Sequence, residues 1–276
     1  MFPYFETLIE HLSRGDTAVQ QAFGEHVHWG YWKNPNTAAI DPRAFHQAAE
    51  AMLDRMVALA AIRNGTTILD AGCGFGGTIN FLNHRHDACV LVGINIDQQQ
   101  LDIARQRVAP HRNNAVHFIP TNACALPFRS KSFDTVLAVE SIFHFPDRRR
   151  FISESARVLK PGGLLIISDF VPLAHLGRLL DLAERSTHLI GQMYGKVNAD
   201  ISRSRYLAAA HANGMECVAI EDITGNTLPT YRFLRNNLYR TQKKAAYDRA
   251  TFLLELFSKL RLVRYLILVF RKPHAQ

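Results

Sequence analysis

The chain has 276 residues, 47% of them hydrophobic and 20% charged, with 32 Lys and Arg against 24 Asp and Glu. Those proportions exclude a disordered or fibrous chain, and no run of about 18 apolar residues exists to span a bilayer, so a soluble globular protein of one large or two small domains is expected. The net charge of +8 is unevenly placed: Tyr231 to Lys272 holds eleven basic side chains against Asp248 and Glu255, a net +9, and the rest of the chain sums to −1.

Residues 1 to 62 read as an N-terminal helical cap without strand signals. Asp41 followed by Pro42 is a helix start, and Phe45, Ala49, Met52, Met56 and Leu59 follow at spacings of three and four, which makes one apolar face. Before that helix lies an aromatic loop, His26-Val27-His28-Trp29-Gly30-Tyr31-Trp32. Its two histidines have no further ligands at metal-binding spacing, and no metal is expected.

From Thr67 the texture changes to short apolar runs alternating with helical patterns. Strands are predicted over Thr67 to Asp70, Cys89 to Asn95, Val116 to Ile119, Phe133 to Val139 and Leu164 to Phe170, with helices over Gly77 to His84, Gln98 to Val108 and Asp147 to Leu159. Continuous apolar strands separated by helices imply a parallel sheet covered on both faces, a doubly wound α/β domain over residues 63 to 276. Residues 171 to 200, with Leu173, Leu176, Leu179, Leu180, Leu182 and Leu189, read as a helical lid insertion. A helix (Ser202 to Asn213), a strand (Met215 to Ile223), a long basic helical region (Thr230 to Leu260) and a last strand (Tyr265 to Arg271) complete the chain. Cys73, Cys89, Cys124 and Cys217 form no C-x-x-C pair and read as buried, reduced thiols. Met1 to Leu12 has neither a basic start nor a cleavage site, so a cytoplasmic location is expected.

The sharpest motif is Ile68-Leu69-Asp70-Ala71-Gly72-Cys73-Gly74-Phe75-Gly76-Gly77-Thr78, between the first strand and a helix. Glycines there let the backbone turn tightly and approach a ligand beside a helix N-terminus. The run fits G-x-G-x-G through Gly76 and equally the dinucleotide pattern G-x-G-x-x-G through Gly77. Asp70 would attract an ammonium group and repel a pyrophosphate, and the second strand ends in Asn95 where a dinucleotide enzyme wants an acid. Both features favour a cationic amino-acid ligand over NAD.

Five segments in order resemble the class I S-adenosylmethionine-dependent methyltransferases: Leu69 to Gly76, Val92 to Asp97, Asn122 to Phe128, Ser132 to Ser141 and Arg157 to Gly163. The resemblance implies a Rossmann-like seven-stranded, mostly parallel sheet with an antiparallel last strand. It also implies S-adenosyl-L-methionine as cofactor, held by Asp70, Gly72, Gly74, Gly76, Asn95, Ile96, Asn122, Ala123 and Glu140. Asn95 and Asn122 stand where the family usually has acids facing the ribose and the adenine amine. Each exchange of a charge-assisted bond for a neutral one costs about 1 kcal/mol of binding.

Methyl transfer from a sulfonium needs an acceptor atom held in line, and a base only where the acceptor must lose a proton. Glu140 follows an apolar strand that would desolvate it, and in the sterol- and prenyl-type enzymes that this chain resembles a Glu at that place acts on the cationic intermediate or its departing proton. His144 is the second catalytic candidate. The aromatic loop resembles an H-x-G-Y-[WF] segment of small-molecule methyltransferases, so Trp29, Tyr31 and Trp32, with Phe145 and Tyr194, are expected to line a hydrophobic acceptor pocket. C-methylation of an isoprenoid or similar natural-product skeleton is the narrower expectation. An RNA methyltransferase using the basic C-terminal helix, although no nucleic-acid partner is expected, and a NAD-binding oxidoreductase are the alternatives. The basic element is open to four readings: a solvated face, nucleic acid, peripheral membrane contact, or an anionic acceptor held by Arg235, Arg240 or Arg148-Arg149-Arg150.

Overall fold

The computed structural model describes residues 8–11, 14–174, 176, 202–237 and 244–274. The strands are β1 (Thr67–Ala71), β2 (Val90–Asn95), β3 (Ala115–Pro120), β4 (Phe133–Val139), β5 (Leu159–Pro172), β6 (Glu216–Asp222) and β7 (Val263–Arg271). The principal helices are α1 (Thr17–Phe23), α2 (Pro42–Ala60), α3 (Gly77–Arg85), α4 (Gln98–Arg107), α5 (Arg148–Val158), α6 (Arg203–Ala212), α7 (Thr224–Asn237) and α8 (Lys244–Lys259). Four helices begin just after an aspartate that accepts hydrogen bonds from first-turn amides: Asp16, Asp41, Asp97 and Asp147.

The seven strands form one sheet in the order β3-β2-β1-β4-β5-β7-β6, and β1 pairs in parallel with both β2 and β4. Ile68, Leu69, Leu91, Ile94, Val136, Leu137, Ile166 and Ile167 are almost wholly buried, as the unbroken apolar runs predict for a sheet covered on both faces. The last strand runs against its neighbours. Gly162 at the start of β5 donates to the Lys272 carbonyl beyond the end of β7, whereas Leu173 just past β5 donates to the Leu262 carbonyl just before β7. The fifth strand is longer than predicted because the Lys160 to Gly163 turn, irregular in register against β4, is drawn into this pairing.

The chain divides into two compact units. One comprises Leu53–Asp169, Ser204–Glu221 and Leu266–Gln276 and contains most of the sheet; the other comprises Met1–Met52, Phe170–Arg203 and Asp222–Tyr265. The second has an aromatic core. The Phe45 and Phe233 rings stack at 4.4 Å, Phe23 packs on both, and Trp29 meets Tyr231 edge-on at 4.3 Å.

Three expectations change. Cys217 is exposed, unlike the buried Cys73, Cys89 and Cys124, because it lies on β6 at the sheet edge, where the consecutive residues Glu216, Cys217 and Val218 are all open to solvent. The basic region is two helices, α7 and α8, and α7 begins six residues early, with Pro229 inside it. Asp222 accounts for that start, its Oδ1 accepting from the Thr224 amide and hydroxyl. Of the lid predicted over residues 171 to 200, residue 175 and residues 177 to 200 lie outside the described residues. Among the described residues no helix is long and apolar enough to cross a membrane.

Candidate active site

At the carboxyl end of β1 the chain turns through Gly72, Gly74 and Gly76, all left-handed with φ of 82°, 52° and 85°, and Gly77 is already the first residue of α3. The left-handed positions therefore follow G-x-G-x-G and not the dinucleotide spacing. A Cβ on Gly72 would stand 2.4 Å from Ser141 Cβ and 3.6 Å from the Phe145 ring, so the loop passes too close to the chain beyond β4 for any side chain. Ser141 Oγ fixes that approach by donating to the Ala71 carbonyl at 2.6 Å. On the other side the Gly72 and Cys73 amides both donate to the Ile94 carbonyl of β2.

Asp70 is the last buried polar group before this turn, 1% exposed. Burial pushes its carboxyl up to about 7, against the opposing pull of a hydrogen bond from Thr78. Its Oδ2 is buried with no hydrogen-bond partner among the described residues. A buried acceptor of that kind, beside a loop stripped of side chains, fits a ligand that brings a cation or donor of its own.

The carboxyl end of β2 supplies the next group. Asn95 is half-buried; its Nδ2 donates to Gln100 Oε1 at 3.0 Å and its Oδ1 accepts from the Asp97 amide at 3.1 Å. Ile96 beside it is 74% exposed, a large apolar side chain turned to solvent where a flat ligand could cover it. Gln100, which sequence reading did not single out, is 3% exposed; a Cβ on Gly74 would lie 4.0 Å from its Oε1. Its only sequence signal was helical spacing with the buried Leu101 and Ala104.

Beyond β3, Asn122 is exposed, with Oδ1 accepting from the Cys124 amide at 2.8 Å, and Ala123 is buried. This segment is braced from α5. Glu154 accepts from the Leu126 amide, and Arg157 donates to the Leu126 and Phe128 carbonyls and to Glu154. The paired guanidinium holds the Glu154 carboxyl below its ordinary range.

Beyond β4, Glu140 is 9% exposed and adopts φ 47°, a strained backbone for a residue with a side chain, held by its amide donating to Ser168 Oγ at 3.1 Å. A single 3-10 turn, Ile142–His144, leaves His144 and Phe145 half-buried, and the Phe145 ring meets Phe151 edge-on at 4.9 Å. Asp70, Gly72, Gly74, Asn95, Ile96, Glu140, Ser141 and Phe145 thus lie at the carboxyl ends of β1, β2 and β4 or just beyond. In this strand order the crossover direction reverses beside β1, the usual place for a ligand crevice in such sheets.

Trp29, Tyr31 and Trp32 belong to the other unit. Trp29 and Trp32 are 7% and 5% exposed, and Trp32 Nε1 donates to Thr230 Oγ1 of α7 at 2.9 Å; Tyr31 is half-buried. Tyr194 lies outside the described residues. Arg148 cannot serve an anionic acceptor as the Arg148-Arg149-Arg150 run suggested, because it is 4% exposed and paired with Asp169 at 3.0 Å, an acid that also accepts from the Tyr206 hydroxyl. Arg240 lies outside the described residues, and Arg235 is paired with Glu255.

A family profile described as a methyltransferase domain matches residues 69–167. Methyltransferase GfsG of Streptomyces halstedii is 32% identical over 83% of this chain and 80% of its own length. The 27-O-demethylrifamycin SV methyltransferase of Amycolatopsis mediterranei strain S699 is 30% identical over 92% of this chain and 93% of its own. Among solved structures, geranyl diphosphate C-methyltransferase from Streptomyces coelicolor A3(2) superposes with a TM-score of 0.73 at 20% identity, covering 94% of this chain and 98% of that one.

Proposed function

We propose that this chain, which belongs to the S-adenosylmethionine-dependent methyltransferases, methylates a hydroxyl oxygen on a hydrophobic natural-product skeleton. The observation that carries the acceptor class is the near-full-length likeness to the 27-O-demethylrifamycin SV enzyme, which extends well beyond residues 69–167. The C-methylation expected from the Glu140 position has weaker support, since the geranyl diphosphate enzyme at 20% identity speaks for the fold alone.

The cofactor supplies an electrophilic methyl group on a sulfonium. Asp70 would hold its ammonium group, and the Gly72, Gly74 and Gly76 turn would admit its backbone-hugging chain. Asn95, positioned by Gln100, would bond the ribose hydroxyls; Ile96 would cover one face of the adenine, with Asn122 and Ala123 at its edge. A hydroxyl acceptor must lose a proton, and the imidazole of His144, half-buried on the turn beyond β4, is our assignment for that task. Glu140 would complete the cofactor contacts. Within the unit that holds these residues Phe145 is the acceptor-side assignment; Trp29, Tyr31, Trp32 and Tyr194 are assigned to the acceptor on their sequence pattern alone.

Two measurements test this. Calorimetry with S-adenosylhomocysteine should give saturable heat, and a panel of hydrophobic hydroxyl acceptors with methyl-labelled cofactor should yield a labelled ether. Label appearing on carbon, or only in RNA, would overturn the acceptor reading. His144→Asn should lower kcat by about a hundredfold with little change in cofactor KM, and Glu140→Gln should raise cofactor KM instead. The opposite split would reverse the two roles.

A further inference from the structure

The basic C-terminal charge has no part in the site above, and its clearest expression is the outer face of α8. From Arg249 to Arg261 the exposed positions are Arg249, Phe252, Leu253, Leu256, Lys259, Leu260 and Arg261. Phe252, Leu256 and Leu260 recur every four residues and so form one stripe along the helix, with Leu253 and Arg249 on the same side. The apolar members are unusually open for their type: Phe252 is 57%, Leu253 39%, Leu256 38% and Leu260 59% exposed. Leu173, 40% exposed, is tied in beside them by its amide donating to the Leu262 carbonyl at 3.0 Å.

Among the described residues one acid stands at the margin of this face: Asp248, four positions before Phe252, is half-buried with its Oδ1 shielded from solvent. Glu255 is turned inward at 4% exposure, where Arg235 and Lys259 pair with it, and Asp222 is engaged by Arg261. Lys259 and Arg261 nevertheless keep side-chain exposures of 55% and 59%. The opposite side of the helix, Ala250, Thr251 and Ser258, is buried, and Ser258 Oγ is bonded to the Tyr231 hydroxyl at 2.7 Å, so the outer stripe is not a misplaced core face.

We propose that this face docks on an anionic lipid surface, with Phe252, Leu253, Leu256 and Leu260 entering the headgroup and acyl boundary and Arg249, Lys259 and Arg261 meeting the anionic headgroups. An apolar stripe rimmed by cations, whose exposed charged side chains from Arg249 to Arg261 are all basic, has the chemistry of an interfacial helix. A second copy of the chain fits less well, because a two-fold contact through this stripe would set the same cations against each other. A nucleic acid would find cations but three aliphatic side chains between them, and one ring to stack on. The inference is independent of the acceptor's identity.

The test is co-sedimentation of the full chain with vesicles of equal parts phosphatidylglycerol and phosphatidylcholine, against vesicles of phosphatidylcholine alone. The protein should pellet with the former, release as salt is raised, and stay in solution with the latter. Phe252→Ser with Leu256→Ser should lower the partition by about tenfold while S-adenosylhomocysteine affinity and melting temperature hold. Arg249→Gln, which leaves the apolar stripe whole, should weaken binding at low salt only. The proposal is overturned if neither vesicle binds the protein, if both bind it equally, if the double variant still pellets, or if polyuridine binds the chain and vesicles do not. It is equally overturned if the native chain is an oligomer that the double variant dissociates.

Discussion

Asp70 couples cofactor binding to pH. Its carboxyl is held at about 7 by burial, so near neutrality a large fraction is protonated, and a protonated acid attracts an ammonium group poorly. Binding should therefore favour the ionised form and expel a proton. S-adenosylhomocysteine affinity is expected to rise with pH up to about 7 and level off above it. Calorimetry in two buffers of different ionisation heat, at a pH below that value, should show proton release. Asp70→Asn removes the charge, keeps the shape, and should weaken binding by about tenfold or more while abolishing the proton release. Unchanged affinity in that variant would mean the ammonium group is held elsewhere.

Among the elements, the brace from α5 to the segment beyond β3 carries its own expectation. Arg157 contributes three of the contacts that hold Leu126, Phe128 and Glu154, so Arg157→Ala should cost about 2 kcal/mol of stability in urea titration and also weaken cofactor binding as Asn122 loosens. Arg157→Lys, which cannot fork between carbonyl and carboxylate, should recover only part of both. This brace was not readable in the sequence, although Leu126, Phe128 and Arg157 lie within two of the matching segments, because hydrogen bonds across 29 or 31 positions leave no local pattern. Elements with a local cause were readable. Apart from the start of β5, the apolar strands and the starts of the helices at Asp41, Asp97 and Asp147 fall within a residue or two of expectation. The glycine turn showed its purpose but not its spacing, since only backbone angles separate Gly76 from Gly77. The expected start at Thr230 missed the first six residues of α7, because what begins the helix is Asp222, whose carboxylate accepts from the Thr224 amide and hydroxyl, and Pro229 lies inside it.

For the whole molecule, two buried groups of opposite kind, one in each compact unit, set the dependence of stability on pH. Asp70 titrates near 3.8 when unfolded and at about 7 when folded. Between those values the folded chain holds a proton that the unfolded chain has released, so stability falls as pH rises. His28, buried and with Nδ1 3.0 Å from the Trp29 carbonyl, is held down to about 4 by desolvation against an ordinary 6.5. Over that range it is the unfolded chain that holds the extra proton, so stability rises with pH. Each slope approaches about 1.4 kcal/mol per pH unit, and the two oppose each other over nearly the same window. Chemical denaturation of the cofactor-free chain should therefore give little net contribution from this pair between about pH 4 and 6.5, then a decline toward 7. Asp70→Asn should expose the histidine, with stability that climbs relative to the native chain as pH rises across the window. His28→Gln should expose the aspartate, with stability that drops relative to the native chain below pH 6.5 as the pH is raised. If either difference curve is flat, that group is not buried in the ionisation state its surroundings demand; if both slope the same way, the opposition between the two units' charges is wrong.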